Sequence, residues 1–366
     1  MRNFTKSKRI VIKIGTNVLT KNNSLDIDYV QDIAGQVAAL LKENRQILIV
    51  TSGAIGMGAH ELELKEKVTK IKMRQACAAI GQPLLMHQYK IAFEKYKIPI
   101  AQILLTTEVL NNRHTYLNLR NSVETLLSLE VVPIFNENDS VSTAEIGTAF
   151  GDNDSLSALI ASKVDADLLI MLTDIDAFYD KDPKVHQDAK PIHTVEGLTK
   201  EIVKSAGSRG STFSTGGMKT KIEAVKIAEN AGCRVVIANG REPRIINRIL
   251  AGEIVGTIFL AKQKLTNRAR WILNSLPEGN IVVDDGAMAA IKNNKSLLPT
   301  GVIAVEGIFK TGSVVSVNKT AKIVTGFNST ELESIIGKHS TEVIKILGKG
   351  KRDVIARPED IVFPEE

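Results

Sequence analysis

RIVIKIGT, residues 9–16, is a short apolar run (Arg9–Ile14) stopped by Gly15 and Thr16. Outward from it, Ile27, Val30, Ile33, Ala34, Val37, Leu40 and Leu41 recur at helical spacing across Ile27–Glu43. A second apolar run follows, QILIVT over Gln46–Thr51, and SGAIGMGA then opens another helix. Apolar strands alternating with amphipathic helices predict a parallel sheet covered on both faces. The alternation continues through strand candidates Ile98–Leu104, Val131–Asn136, Leu168–Thr173, Arg234–Ala238 and Gly256–Leu260. The expected fold over residues 1–262 is therefore α/β, a mainly parallel sheet sandwiched by helices. Such sheets bind ligands beyond the carboxyl ends of their strands. That directs attention to the loops after Ile14, Thr51, Asn136 and Thr173.

Beyond residue 262 the texture changes. Residues 263–276, QKLTNRARWILNSL, read as a short connecting helix carrying the only tryptophan, Trp271. Residues 277–358 hold short β-rich runs punctuated by glycine, as expected of a small barrel-like second domain. A chain of 366 residues with 43% hydrophobic and 24% charged side chains suits two globular domains and excludes a disordered or collagen-like chain. No run approaches the 18 apolar residues of a membrane span. The N-terminal apolar run is cut by Lys13, unlike a signal peptide, so a cytoplasmic location is expected. Cys77 and Cys233 show no CxxC spacing and read as free thiols, and the six histidines suggest no protein-borne metal site. Residues 275–366 hold 11 basic and 12 acidic side chains, against 36 and 29 in residues 1–274. The basic surplus thus lies in the larger part, where an anionic substrate would account for it.

The loops on the predicted strand-end edge are rich in small and polar groups. They are Lys13-Ile14-Gly15-Thr16, Thr51-Ser52-Gly53-Ala54, Asn136 to Ser140, Gly151 to Ser155, Thr173-Asp174, and Ser214 to Lys221. Singly, each reads as a turn or a helix cap. Six on one edge point instead to phosphoryl transfer, in which glycine loops and helix N-termini cradle phosphates and lysines spread the moving charge. Lys13 and Lys221 reach this edge from opposite ends of the domain. No complete GxxxxGK[ST] or strand-borne GxGxxG is present, and the HRD and DFG sets of protein kinases are absent.

Taken together, KIGTNVLT, IVTSGAIGMG, PIFNENDSV, FGDNDSLSA, LLIMLTDIDAFYDKDP and STGGMKTK resemble the amino acid kinase family, and within it the members that phosphorylate glutamate. The likeness runs in order through most of residues 8–262. VVDDGAMAAI, SLLPTGVIAVEG and AKIVTGF resemble the PUA domain appended to bacterial members. The resemblance implies that Lys13 contacts the transferring phosphoryl group while Gly15 and Thr16 close over the ATP phosphates. Lys221 is implied as the second charge stabiliser and Asp154 as the organiser of both lysines. Thr173, Asp174 and the loop Thr215, Gly216, Gly217, Met218, Lys219, Thr220 and Lys221 are implied as the ATP site. Ser52, Gly53 and Ala54 would hold the end of glutamate that is phosphorylated, and Asn136, Asp139, Asp152 and Asn153 would grip glutamate. Ser214 departs from the glycine usual before TGGM.

The chemistry is arguable apart from the family. A γ-carboxylate with a pKa near ~4.3 is ionised at neutral pH and needs no general base. The obstacle is repulsion between two anions, to be offset by two lysines and a Mg²⁺ ion arriving with ATP. Asp139, Asp152 and Asp154 are each able to hold the substrate ammonium, orient lysines or reach the metal through water. Another amino acid kinase, acting on acetylglutamate, aspartate or a nucleoside monophosphate, is the alternative enzyme. RNA binding through Lys345, Lys349, Lys351, Arg352 and Arg357 ranks lower, because residues 275–366 around them carry a net charge of −1. Family membership further implies entry into proline synthesis, feedback inhibition by proline with Ser140–Gly151 as a sensing stretch, a homo-oligomer, and a link to glutamyl phosphate reductase.

Overall fold

The computed structural model describes residues 2–21, 24–66, 68–106, 109, 113–141, 153–181, 183, 185–199, 202–203, 217–261, 264–348 and 353–364. Asp152, Ser214, Thr215, Gly216, Lys349, Lys351, Arg352 and most of the stretch 140–151 lie outside the described residues. The chain divides into two compact units, Met1–Lys264 and Leu265–Glu366.

The first unit is built on eight strands: β1 (Arg9–Ile14), β2 (Gln46–Val50), β3 (Ile100–Leu105), β4 (Val132–Glu137), β5 (Leu168–Thr173), β6 (Thr194–Val195), β7 (Arg234–Asn239) and β8 (Thr257–Phe259). Their order across the sheet is β6-β8-β7-β5-β1-β2-β4-β3. The six strands from β7 to β3 in that order run parallel. Only β8 turns back against β7, carrying β6 parallel to itself. The mainly parallel sheet expected from the alternation is present; Arg9–Ile14 and Leu168–Thr173 keep their expected bounds, and the other expected strands shift at one or both ends by one or two residues.

Side-chain parity sorts the strands between two cores. Val11, Leu169 and Met171 face one apolar cluster, and Ile10, Ile12, Ile14, Leu168, Ile170 and Leu172 face the other. Both sets are fully buried, as expected of strands covered on each side. Helix α1 (Ile27–Lys42) buries Val30, Ile33, Ala34, Val37 and Leu40, and the Asp26 carboxylate caps it by accepting from Tyr29 N–H. Ile27, counted in its apolar stripe, is the first helical residue and stays exposed.

Helices α2 (Ala54–Glu61) and α3 (Ile71–Glu94) meet backbone to backbone because glycines stand at the crossing. A Cβ on Gly81 would lie 1.9 Å from the Ala54 carbonyl oxygen, and one on Gly58 would lie 1.8 Å from that of Cys77. Both oxygens belong to the backbone, so only separation of the helices could make room. Gly81→Ala is therefore expected to cost about 3 kcal/mol, the upper range for overpacking. Urea unfolding measures this, and an unchanged midpoint would contradict the close crossing. Because α2 starts directly after Ser52-Gly53, the same packing fixes one wall of the site.

On the Val11 face, α5 (Asn153–Lys163) packs against α6 (Met218–Asn230) and against β1. The intervening α4 (Arg113–Ser128) precedes β4, and α7 (Ile245–Leu250) follows β7 on the opposite face. Among the described residues no helix is long and apolar enough to cross a membrane.

The second unit opens with α8 (Asn267–Asn274), capped by the Thr266 hydroxyl, which accepts from Ala269 N–H. Its Trp271 and Ile272 pack on Val314 and Val324 of the same unit. Five strands follow: β9 (Asn280–Val283), β10 (Val302–Glu306), β11 (Val314–Val317), β12 (Ala321–Val324) and β13 (Ile361–Val362), in the order β10-β9-β11-β12-β13. Ile281, Val315, Val317, Ile323 and Phe327 form its core. Lys322 crosses back to α8 and donates to the carbonyls of Leu273 and Ser275, at 2.6 and 2.7 Å. Burial holds this ammonium below the usual lysine range.

Candidate active site

Lys13 follows the parity of Val11, so β1 aims it at the face covered by α5 and α6. There it is 3% exposed, and a buried ammonium needs an anion close by. Asp154, the second residue of α5, supplies one. Lys13 Nζ lies 2.5 Å from Asp154 Oδ1, and Lys221 Nζ, from the first turn of α6, lies 3.1 Å from Oδ2. Thr220 Oγ1 is 3.2 Å from that second oxygen and 2.8 Å from the Gly217 carbonyl. One carboxylate thus gathers two ammonium groups from strands and helices more than 200 residues apart in sequence. Asp154 is fully buried and Lys221 is 3% exposed. The three side chains carry a net charge of +1 in a place nearly closed to water.

This cluster sits at the carboxyl end of β1, where the chain leaves toward β2 on one side while β5 lies on the other. Such a switch point is where open α/β sheets bind ligands. Gly15 donates its N–H to the Leu172 carbonyl at 2.9 Å, and a Cβ there would lie 3.1 Å from that oxygen and 3.7 Å from Lys13 Nζ. Thr16 begins the single helical turn Thr16–Leu19. Across from it, Thr173 ends β5 and Asp174 follows. Burial alone would raise the Asp174 carboxyl, but the Asn17 amide at 2.9 Å and the Thr173 hydroxyl at 3.1 Å hold it below the usual range. Helix α6 begins after Gly217, which is extended and, having no side chain, offers no cap to its first amides. Met218 is half-buried, while Lys219 on the same turn is exposed.

A chain of amides forms the other half. Asn153 Nδ2 donates to the Thr51 carbonyl at 2.6 Å and lies 3.1 Å from Ser52 Oγ and 3.0 Å from Asn136 Oδ1. Asn136 Oδ1 also accepts from Glu137 N–H at 3.0 Å, and Asn136 Nδ2 donates to Gln82 Oε1 at 2.8 Å. Ser52 Oγ donates to the Ile14 carbonyl at 3.1 Å, which ties the chain to the loop carrying Gly15. Gly53 adopts φ 97°, a left-handed conformation that favours glycine, and this turns the backbone into α2 at Ala54. Asp139 stands half-buried after β4. Burial raises its carboxyl above the usual range, and the Arg74 guanidinium opposes that rise without cancelling it.

The structure therefore brings together Lys13, Asp154 and Lys221, and links Ser52, Asn136 and Asn153 into one network. Three participants were not singled out by the sequence. Gln82 lies in the middle of α3. Asn17 sits inside KIGTNVLT, just past the Gly15-Thr16 turn. Tyr89, fully buried, is 2.9 Å from the Thr51 hydroxyl.

A mainly parallel sheet with paired lysines at its switch point defines a phosphoryl-transfer protein of the α/β class. The chain belongs to the amino acid kinase family, whose family model matches residues 8–239, and residues 279–347 match the PUA domain. It is 46% identical over 347 residues to a glutamate 5-kinase of Methanosarcina acetivorans, covering 91% of this chain and 90% of that one. A glutamate 5-kinase of Methanosarcina barkeri is 48% identical over 342 residues, covering 90% and 89%. One from Geobacter metallireducens is 44% identical over 341 residues, covering 91% of each.

Proposed function

We propose that this chain catalyses ATP-dependent phosphorylation of the γ-carboxylate of L-glutamate to L-glutamyl 5-phosphate, the entry step of proline synthesis. The observation that carries the reading is the seating of Lys13 and Lys221 on the two oxygens of one buried carboxylate at the sheet's switch point. The relatives sharing 44–48% of its residues along nine-tenths of the chain support the choice of substrate.

The substrate carboxylate attacks the γ-phosphorus in line, and the bond to the bridging oxygen of ADP breaks. No proton has to be removed from the nucleophile. At ~4 Å and an effective dielectric near 20, two unit charges repel by about 4 kcal/mol, and developing charge on the phosphoryl oxygens adds to the problem. Lys13 and Lys221 offset it from fixed positions, at no cost of reorganisation during the reaction. Asp154 keeps both ammonium groups aimed. The uncapped start of α6, with Gly15 and Thr16, suits the phosphates of ATP. Both Asp154 oxygens are engaged by lysines, so Mg²⁺ would be held by the nucleotide phosphates and water, with carboxylates such as Asp174 at most as outer partners. When bound, the ion supplies further neutralisation of the phosphates. On the acceptor side, Asp139, half-buried with the Arg74 guanidinium opposing the effect of burial, suits the substrate ammonium, while Asn136 and Asn153 offer neutral hydrogen bonds.

Trapping the acyl phosphate with hydroxylamine tests the reading. ATP- and glutamate-dependent hydroxamate formation is expected, with aspartate, acetylglutamate and nucleoside monophosphates turned over far more slowly. Preferred turnover of any of those would replace glutamate as the substrate. Including proline in the assay tests whether the same pocket is the target of feedback.

A further inference from the structure

Gln82 is 7% exposed in the middle of α3, and it is the end member of the amide chain. The polarity of that chain is fixed by backbone groups that cannot reverse. The Thr51 carbonyl only accepts, so Asn153 must point Nδ2 at it. The Glu137 N–H only donates, so Asn136 must point Oδ1 at it. Asn136 Nδ2 then faces Gln82, which must answer with Oε1. The consequence is that Gln82 Nε2 is buried with no hydrogen-bond partner among the described residues. A glutamine serving only its own helix would settle with both ends paired, or would be better replaced by an apolar side chain. This one leaves its donor end unpaired while its acceptor end engages Asn136.

We propose that Gln82 is a positioning residue for the phosphoryl-acceptor substrate, acting through Asn136 on Asn153. The proposal rests on the reading of Asn136 and Asn153 as glutamate-binding residues. With Nδ2 of Asn153 held on Thr51 and Ser52, its Oδ1 is turned to the opposite side as an acceptor. A donor group on the substrate, such as an ammonium, matches that polarity. Releasing the Gln82 end frees Asn136 to swing, and Asn153 loses the acceptor that keeps its amide in plane.

Steady-state kinetics on the full chain test this with Gln82→Met, Gln82→Glu, Asn136→Ala, Asn153→Ala and the double variant Gln82→Met/Asn136→Ala. Methionine keeps the shape and removes the acceptor. It is expected to raise the glutamate KM about tenfold, the effect of one ordinary hydrogen bond. The ATP KM should stay within about twofold and the thermal midpoint within a few degrees, since one unpaired buried donor replaces another. Glutamate in place of Gln82 keeps an acceptor oxygen for Asn136, so its KM should lie closer to the parent's. In the double variant the glutamate KM should match that of Asn136→Ala alone, because the Gln82 effect passes through Asn136. Multiplying effects, or an unchanged KM in Gln82→Met beside raised values in Asn136→Ala and Asn153→Ala, would overturn the proposal and leave the substrate site intact. Unchanged KM in Asn136→Ala and Asn153→Ala would remove the substrate reading itself, and the proposal with it. Gln82→Glu as impaired as Gln82→Met would also count against it.

Discussion

Lys13→Met and Lys221→Met are each expected to lower kcat by about 10³-fold, while the glutamate KM moves much less. The figure is the upper range for removing one preorganised group that stabilises developing charge. The acceptor is already an anion, so proton transfer contributes nothing that a spared lysine could supply. With either lysine gone, the cluster falls from a net charge of +1 to zero, and the remaining ammonium is fully committed to Asp154. Arginine is not expected to rescue either position. The guanidinium is planar and larger, and both sites leave only 3% of the residue exposed. Circular dichroism and a thermal scan on each variant separate loss of chemistry from loss of fold. Turnover like that of the parent in either methionine variant would reject charge stabilisation by the pair.

How much of this was legible in the sequence depends on the range of the cause. β1, β2 and β5 are apolar on both faces, and each stops at small polar residues, so their existence and the location of the ligand edge are local properties. Lys13 inside RIVIKI already asks for water or an anion, and parity with Val11 sets the face on which it finds one. Asp154 is harder. As a residue opening a helix it reads equally as a cap or first-turn acid, and only the packing of α5 between β1 and α6 turns it toward both lysines. Gln82 carried no local signal at all. Its partner Asn136 lies 54 residues later, and its polarity is set by backbone groups of Thr51 and Glu137. Gly81 was equally silent, because its meaning is the Ala54 carbonyl brought against it by the α2–α3 crossing. Pattern reading finds elements whose cause lies within a few residues, and misses side chains whose role is assigned by a distant neighbour.

Asp154→Ala is expected to be the most destabilising change at the site, by about 3–5 kcal/mol, because it removes the carboxylate that the two buried ammonium groups share and leaves them facing each other. The first unit is large, so this corresponds to a fall of roughly 10 °C in its melting transition. Activity should vanish with it, since mutual repulsion drives the lysines off their aim. A single variant cannot tell whether the cluster is kept for stability or for catalysis, but a triple one can. Desolvating three charges costs several kcal/mol per ion, and their attraction repays this only in part, so an apolar trio of similar volume is commonly as stable or more so. Lys13→Met/Asp154→Leu/Lys221→Met should therefore regain most or all of the stability lost in Asp154→Ala, while forming no hydroxamate. Denaturant unfolding of the parent, the single variant and the triple variant reads the two quantities side by side. If the triple variant were as unstable as Asp154→Ala, the charges would be structural, and their placement at the switch point would lose its catalytic reason.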